Sequence, residues 1–161
     1  MGIFDFFRRS KNIENDNGLN ETYYYNGRGN IDKRFYKKDG KEDGLWESFY
    51  KNGEIEEKGS WENGNRVGMW KTYYENGNLK KEEIYKDSST YLFKIFRENG
   101  SLETDGNWRN GEIHGLHKFY YPNGQLKSET NHDKGTTICW DEDGNIIGCP
   151  QKKINLHKTP P

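Results

Sequence analysis

Along the middle of the chain, apolar and polar positions alternate in short runs with a period of two. No unit there carries the 10–12 residues of helical periodicity that a crossover helix would need. The runs recur. Gly53, Gly77, Gly100 and Gly124 lie 24, 23 and 24 residues apart. Four segments align on them: 44–53 (GLWESFYKNG), 68–77 (GMWKTYYENG), 91–100 (YLFKIFRENG) and 115–124 (GLHKFYYPNG). A longer echo at 47 residues pairs Gly59 with Gly106, Trp61 with Trp108, Gly64 with Gly111 and Gly68 with Gly115. Each unit has room for two strands of seven to nine residues and two turns. Without crossovers, neighbouring strands must run antiparallel. Repeats of this period bury surface against their neighbours, so the repeat is the fold.

The turns are written in glycine. Asn or Asp precedes 12 of the 19 glycines, the strongest short-range hairpin signal. Pro122 aligns with Lys51, Glu75 and Glu98, immediately before an Asn-Gly. In a two-residue hairpin that position would donate its N–H to the ladder, which proline cannot do. In a three-residue loop it is the first turn residue, and the glycine takes the left-handed position. With 51–53 as loop, Tyr50 faces Glu54 and Phe49 faces Ile55.

That register sorts the side chains into two rows. One repeats aliphatic, aromatic, aliphatic: Leu45, Phe49, Ile55; Met69, Tyr73, Leu79; Leu92, Phe96, Leu102; Leu116, Tyr120, Leu126. Its uniformity marks it as the structural row. The other holds Trp46, Tyr50, Trp70, Tyr74, Phe93, Arg97, His117 and Tyr121, mixed with Glu54, Glu56, Lys80, Glu82, Glu103 and Lys127. Those eight residues are the candidate partner-binding set, because Trp, Tyr and Arg are the side chains interfaces favour. The competing reading is that they stack across strands and stiffen a single-layer sheet.

Composition agrees with a thin β array. Of 161 residues only 30% are hydrophobic, alanine is absent and Val67 is the single valine, which excludes helical bundles and doubly wound α/β domains. Aromatics at 15% and a net charge of −1 argue against disorder. Residues 1–12 carry +2 and 150–161 carry +3, leaving −6 on the body between them. An acidic body disfavours nucleic acid and mildly favours a basic protein partner. No apolar run exceeds three residues, so no membrane span or signal-peptide core is written here. Cys139 and Cys149 fit no zinc pattern and are too few for a disulfide framework, so a cytoplasmic protein with two free thiols is expected.

The pattern G-x-W-x-x-[FY]-Y-x-N-G-x-[IL] is followed by Asn-Gly and a further Gly, as in Asn63-Gly64 to Gly68 and Asn110-Gly111 to Gly115. It resembles the MORN-repeat variant, arrays of which make up the bacterial YwqK-type antitoxin family. The resemblance covers about residues 21–149 and is strongest at 44–86 and 100–130. Unit 91–100 departs from it, with Tyr91 and Phe93 for the opening Gly and Trp; the last unit has Asp143 for Asn. The resemblance implies an elongated antiparallel meander and an immunity protein that neutralises a cognate protein toxin by stoichiometric binding.

Candidate chemistry is thin. His114 and His117 point to opposite faces of a strand, and His132 abuts Asp133, so no metal site is expected. Glu54, Glu56 and Glu57, like Lys80, Lys81, Glu82 and Glu83, read as the charges of a wet strand. No nucleophile elbow, phosphate loop or HExxH stretch occurs, so neither catalysis, a cofactor nor a small-molecule substrate is expected. The expected organisation is an N-terminal segment 1–20, a repeat domain 21–149 and a disordered basic tail 150–161. Residues Ile3–Arg9 have the makings of a short helix, docked on the first hairpin or resting on a membrane surface, the former favoured. Against the immunity reading stands a structural or peripheral-membrane scaffold that binds phospholipid or another protein. The dispersed basic residues of an acidic array favour the first.

Overall fold

The computed structural model describes residues 15–24 and 29–149. The expected N-terminal helix and the basic tail lie outside them. Twelve strands follow one another: β1 (Gly18–Tyr23), β2 (Ile31–Lys38), β3 (Lys41–Phe49), β4 (Ile55–Glu62), β5 (Asn65–Tyr73), β6 (Leu79–Tyr85), β7 (Thr90–Phe96), β8 (Leu102–Arg109), β9 (Glu112–Tyr120), β10 (Leu126–Asn131), β11 (Thr136–Trp140) and β12 (Ile146–Ile147). They form one sheet in sequence order, every neighbour antiparallel. No helix occurs among the described residues. The fold is the hairpin meander that the repeat spacing predicts.

The three-residue loops stand as expected. Tyr50 N–H donates to Glu54 O at 2.8 Å and Gly53 N–H to Tyr50 O at 2.9 Å. The same pair of bonds recurs at Tyr74, Arg97, Tyr121 and Asp141. Gly53, Gly77, Gly100 and Gly124 have φ of 93°, 84°, 85° and 89°, a region where any Cβ is strained. Asp143 is tolerated for Asn because Asp141 Oδ1 holds the turn, accepting from the N–H groups of Asp143 and Asn145.

One register feature is not legible in the alternation. Phe49 pairs with Ile55 but Ser48 with Glu57, so Glu56 is a β-bulge. Lys80, Glu103 and Lys127 are bulged in the same place. The extra residue shifts the downstream alternation. Glu82, expected beside the aromatic row, lies on the opposite face paired with Lys71, and Glu83 sits opposite Trp70 instead.

The two faces also exchange their expected roles. The uniform aliphatic row is the open face: Leu45 is 65% exposed and Met69 50%, with Leu92 and Leu116 also exposed. The variable row is the packed one, with Trp70 only 1% exposed and His117, Ser48, Glu83, Thr104 and Phe35 buried beside it. Among the described residues the sheet is a single layer with no second sheet on either face, so burial goes to the face whose own side chains are large enough to cover one another.

The cysteines correct a further expectation. Cys139 and Cys149 form a disulfide, their Cα atoms 5.2 Å apart, and no cysteine is free. The hairpin closed by Gly144 brings them together, since it pairs Cys139 with Ile147, two residues before Cys149. The bond ties down β12, which otherwise holds only two residue pairs.

Candidate functional site

The packed face is built from Gly59 outward. Gly59 leaves space that the indole of Trp70 fills from the next strand; a Cβ there would lie 2.1 Å from Trp70 Cδ2. Trp46 approaches from the other side at 5.5 Å between ring centroids, and Trp61 meets Trp70 edge-on at 5.4 Å. Arg66 lays its guanidinium 3.9 Å over the Trp70 ring. Its Nη1 and Nη2 reach Glu57 Oε1 and Oε2 at 2.9 and 3.2 Å, the two-pronged geometry that fixes an Arg in place. Glu83 Oε2 completes the cluster, 3.7 Å from Arg66 and 3.1 Å from Lys81.

Forty-seven residues on, the same plan is executed with smaller rings. Phe93 stands for Trp46, Gly106 for Gly59 and His117 for Trp70. A Cβ on Gly106 would lie 2.9 Å from Phe93 and 3.2 Å from His117. The Thr104 hydroxyl donates to Lys118 O at 2.7 Å and lies 2.8 Å from His117 Nε2. A hydroxyl has one proton to give, so His117 donates from Nε2 and would take up a second proton at Nδ1. Burial pushes its pKa below the ordinary histidine value and the adjacent His132 pushes the same way, with Asp105 opposing. The unfolded chain therefore binds a proton that the native state refuses, and stability falls as pH drops through about 6.5. His117→Gln should flatten that part of the curve. Urea midpoints of wild type and variant that move in parallel between about pH 7 and about pH 5 would show His117 titrating normally.

The remaining members of the candidate set bind the array itself. Tyr50 Oη donates to Tyr73 O at 2.6 Å, Tyr74 Oη to Phe96 O at 2.8 Å and Tyr121 Oη to Trp140 O at 2.9 Å. Where the third unit has Arg97 in place of tyrosine, Nη2 reaches Tyr120 O at 2.6 Å and Nη1 reaches Leu102 O at 2.8 Å. Tyr24, ahead of the first of the four aligned units, makes the equivalent bond to Phe49 O. Each ties one hairpin end to the next. Trp46, Tyr50, Trp70, Tyr74, Phe93, Arg97, His117 and Tyr121 thus share a face: Trp46 packs against Trp70 and Phe93 against His117, while the other four bond to backbone carbonyls of the next hairpin. His114 and His117 diverge as expected: the His114 ring meets Asp133, with Nδ1 to Oδ1 at 2.8 Å.

The open face carries what the sequence reading passed over. One charged residue from each of β1–β10 forms a row across the strands: Glu21, Arg34, Glu47, Lys58, Lys71, Glu82, Lys94, Asp105, Lys118 and Glu129. Each is register-paired with the next. Five are basic and five acidic, and only Lys58 and Lys71 are like-charged neighbours. Arg34 reaches Glu21 at 2.9 Å, Lys71 reaches Glu82 at 3.6 Å and Lys118 reaches Glu129 at 3.5 Å. Tyr120 Oη donates to Asp105 Oδ2 at 2.9 Å; burial first and this bond second push its pKa up to about 12. Beside the charges runs the exposed aliphatic row of Leu45, Met69, Ile84, Leu92 and Leu116. A depression of about 300 Å³ opens there, lined by Ile84, Leu92, Lys94, Asp105, Leu116 and Lys118. The signal in the sequence was a charge at a fixed offset in every strand, concealed by the bulges.

An all-β repeat array with one self-packed face and one open amphipathic face is a binding or scaffold module in form. Residues 42–63, 66–87 and 113–134 each match the MORN repeat variant. Repeats of this type make protein- or lipid-binding modules, and the fold is typical of binding and scaffold proteins rather than enzymes. No curated protein matches the chain. The unmatched stretch between the second and third segments contains unit 91–100, whose opening glycine is missing. There β7 pairs with β6 without a register shift, because Tyr91 cannot readily take the left-handed position held by Gly68 and Gly115, with φ of 63° and 66°.

Proposed function

We propose that this chain is an immunity-type binding module that neutralises a cognate protein toxin by one-to-one contact through the open face of its sheet. The observation that carries the reading is the exposed aliphatic row from Leu45 on β3 to Leu116 on β9. It crosses seven strands, about 30 Å at the spacing of a sheet, enough for one side of an ordinary protein interface. The packed face is committed to holding the repeats together, so the open face is the one a partner can reach. That the partner is a toxin rests on the resemblance to YwqK-type antitoxins.

A phospholipid partner is the alternative. The charge row on the open face holds five charges of each sign, without the basic excess an anionic membrane surface attracts. The test is co-expression with the product of the adjacent reading frame. Restored growth and a one-to-one complex by light scattering are expected. A Met69→Asp/Leu92→Asp variant should keep the β circular-dichroism spectrum and lose both. Full protection by that folded variant would move the contact elsewhere. Binding to phosphatidylserine vesicles, with no complex formed, would favour the lipid reading.

A further inference from the structure

We propose that Asn110 is the site of selective spontaneous deamidation in this chain, a covalent modification whose only co-reactant is water. The backbone nitrogen of Gly111 attacks Cγ of Asn110, the Cγ–Nδ2 bond breaks and ammonia leaves, closing a succinimide. Water then opens the ring to aspartate or isoaspartate. No electron is gained or lost. Two local freedoms are required: an asparagine side chain able to swing onto the following nitrogen, and a glycine N–H not held by an acceptor.

Eight Asn-Gly pairs occur in the sequence, at 17–18, 26–27, 52–53, 63–64, 76–77, 99–100, 110–111 and 123–124. Seven lie in the described residues. In the four three-residue loops both groups are held. Asn52, Asn76, Asn99 and Asn123 each accept, at Oδ1, the N–H two residues on, at 2.9–3.0 Å. The glycine N–H groups that follow them donate to Tyr50, Tyr74, Arg97 and Tyr121 carbonyls. Asn17 Oδ1 is held by Asp39 N–H at 2.8 Å. Gly64 N–H donates to Glu42 O at 2.8 Å. Among the described residues neither the Asn110 side chain nor Gly111 N–H has such a partner.

The difference follows from the break in the repeat. In the turns at Gly40 and Gly64, the glycine N–H docks on a carbonyl of the preceding unit, Asp16 O and Glu42 O. Unit 91–100 lacks its opening glycine, and the chain before β7 takes a longer path through Lys86–Ser89. Ser89 O there receives the N–H of Asn110 rather than that of Gly111. The turn at 110–111 is therefore stacked one residue out of step, which leaves the reactive nitrogen free. Its product matters because Arg109 pairs with Glu112 directly across this turn. Isoaspartate adds a backbone carbon to that two-residue connection, together with a negative charge. The turn holds β8 against β9, the strands that bring Asp105, Leu116 and Lys118 to the open face.

The test is a time course of the native protein at mildly alkaline pH, read by peptide mapping that separates asparagine, aspartate and isoaspartate. Each hydrogen bond that must open first slows attack by about fivefold, or about 1 kcal/mol, and each of the four loops holds two. Asn110 should therefore convert about tenfold or more ahead of Asn52, Asn76, Asn99 and Asn123. In guanidinium the pairs should convert at similar rates, since the selectivity belongs to the fold. Loop asparagines converting as fast as Asn110 in the native protein would overturn the proposal. So would an Asn110 preference that persists in guanidinium.

Discussion

Trp70→Ala is expected to lower stability by about 3–5 kcal/mol, the range for emptying a large aromatic site. The indole has nowhere to be replaced from. It lies against Trp46 and Trp61, under the Arg66 guanidinium and over the bare backbone of Gly59. Its Nε1 donates to Ser60 O at 3.1 Å, so the truncation also removes a hydrogen bond. Arg66 would remain paired with Glu57 but lose its ring, leaving a half-buried charge partly uncovered. A domain of this size holds about 5–15 kcal/mol in all, so much of the margin would go. The adjacent residue supplies the control. Met69 points to the other face and is half exposed, and Met69→Ala should change stability by about 0.5 kcal/mol or less. Urea unfolding followed by circular dichroism measures both. Equal losses from the two variants would mean that burial is shared between the faces.

That contrast marks what the sequence could and could not convey. Pro122 and the Asn-Gly spacing determined the loops, because proline and left-handed glycine obey rules that act within three or four residues. The structure places Tyr50 against Glu54 and Phe49 against Ile55 as that local chemistry requires. Alternation likewise showed which residues share a face near the loops. It did not show which face is covered. Uniform Leu-aromatic-Leu triplets look like a core, yet in a single layer they have nothing to pack on. The telling residue was Gly59, a mid-strand glycine outside any Asn-Gly turn. Glycine inside a strand marks close approach by another group, and here that group is Trp70.

The charge row was hidden for a different reason. Glu82, Lys94 and Asp105 line up only after the bulges at Lys80 and Glu103 are counted, and a bulge leaves no signature in strict alternation. The disulfide was obscured by base rates. Ten residues separate Cys139 from Cys149, and only the β11–β12 hairpin makes that separation a contact.

Gly59→Ala adds one carbon and should cost nearly as much as removing the tryptophan. The new Cβ would sit 2.1, 2.3 and 2.6 Å from three atoms of the Trp70 ring, all closer than real contacts allow. Gly59 does not have a left-handed φ, so backbone strain contributes nothing and the whole effect is collision. Overpacking of this kind costs about 1–3 kcal/mol, and more where the neighbour cannot yield. Trp70 is hemmed in by two indoles and a guanidinium, so the upper end is expected here. Gly106→Ala should be milder, because its Cβ meets the tip of Phe93 at 2.9 Å and the edge of the smaller His117 ring at 3.2 Å. The decisive experiment is the double variant Gly59→Ala/Trp70→Ala. With the ring gone the methyl has room, so the pair should be no less stable than Trp70→Ala alone, a coupling of about 1–3 kcal/mol between residues in contact. Additive losses in the double variant would separate the two positions. The packed face would then owe its order to something other than an indole seated on a glycine.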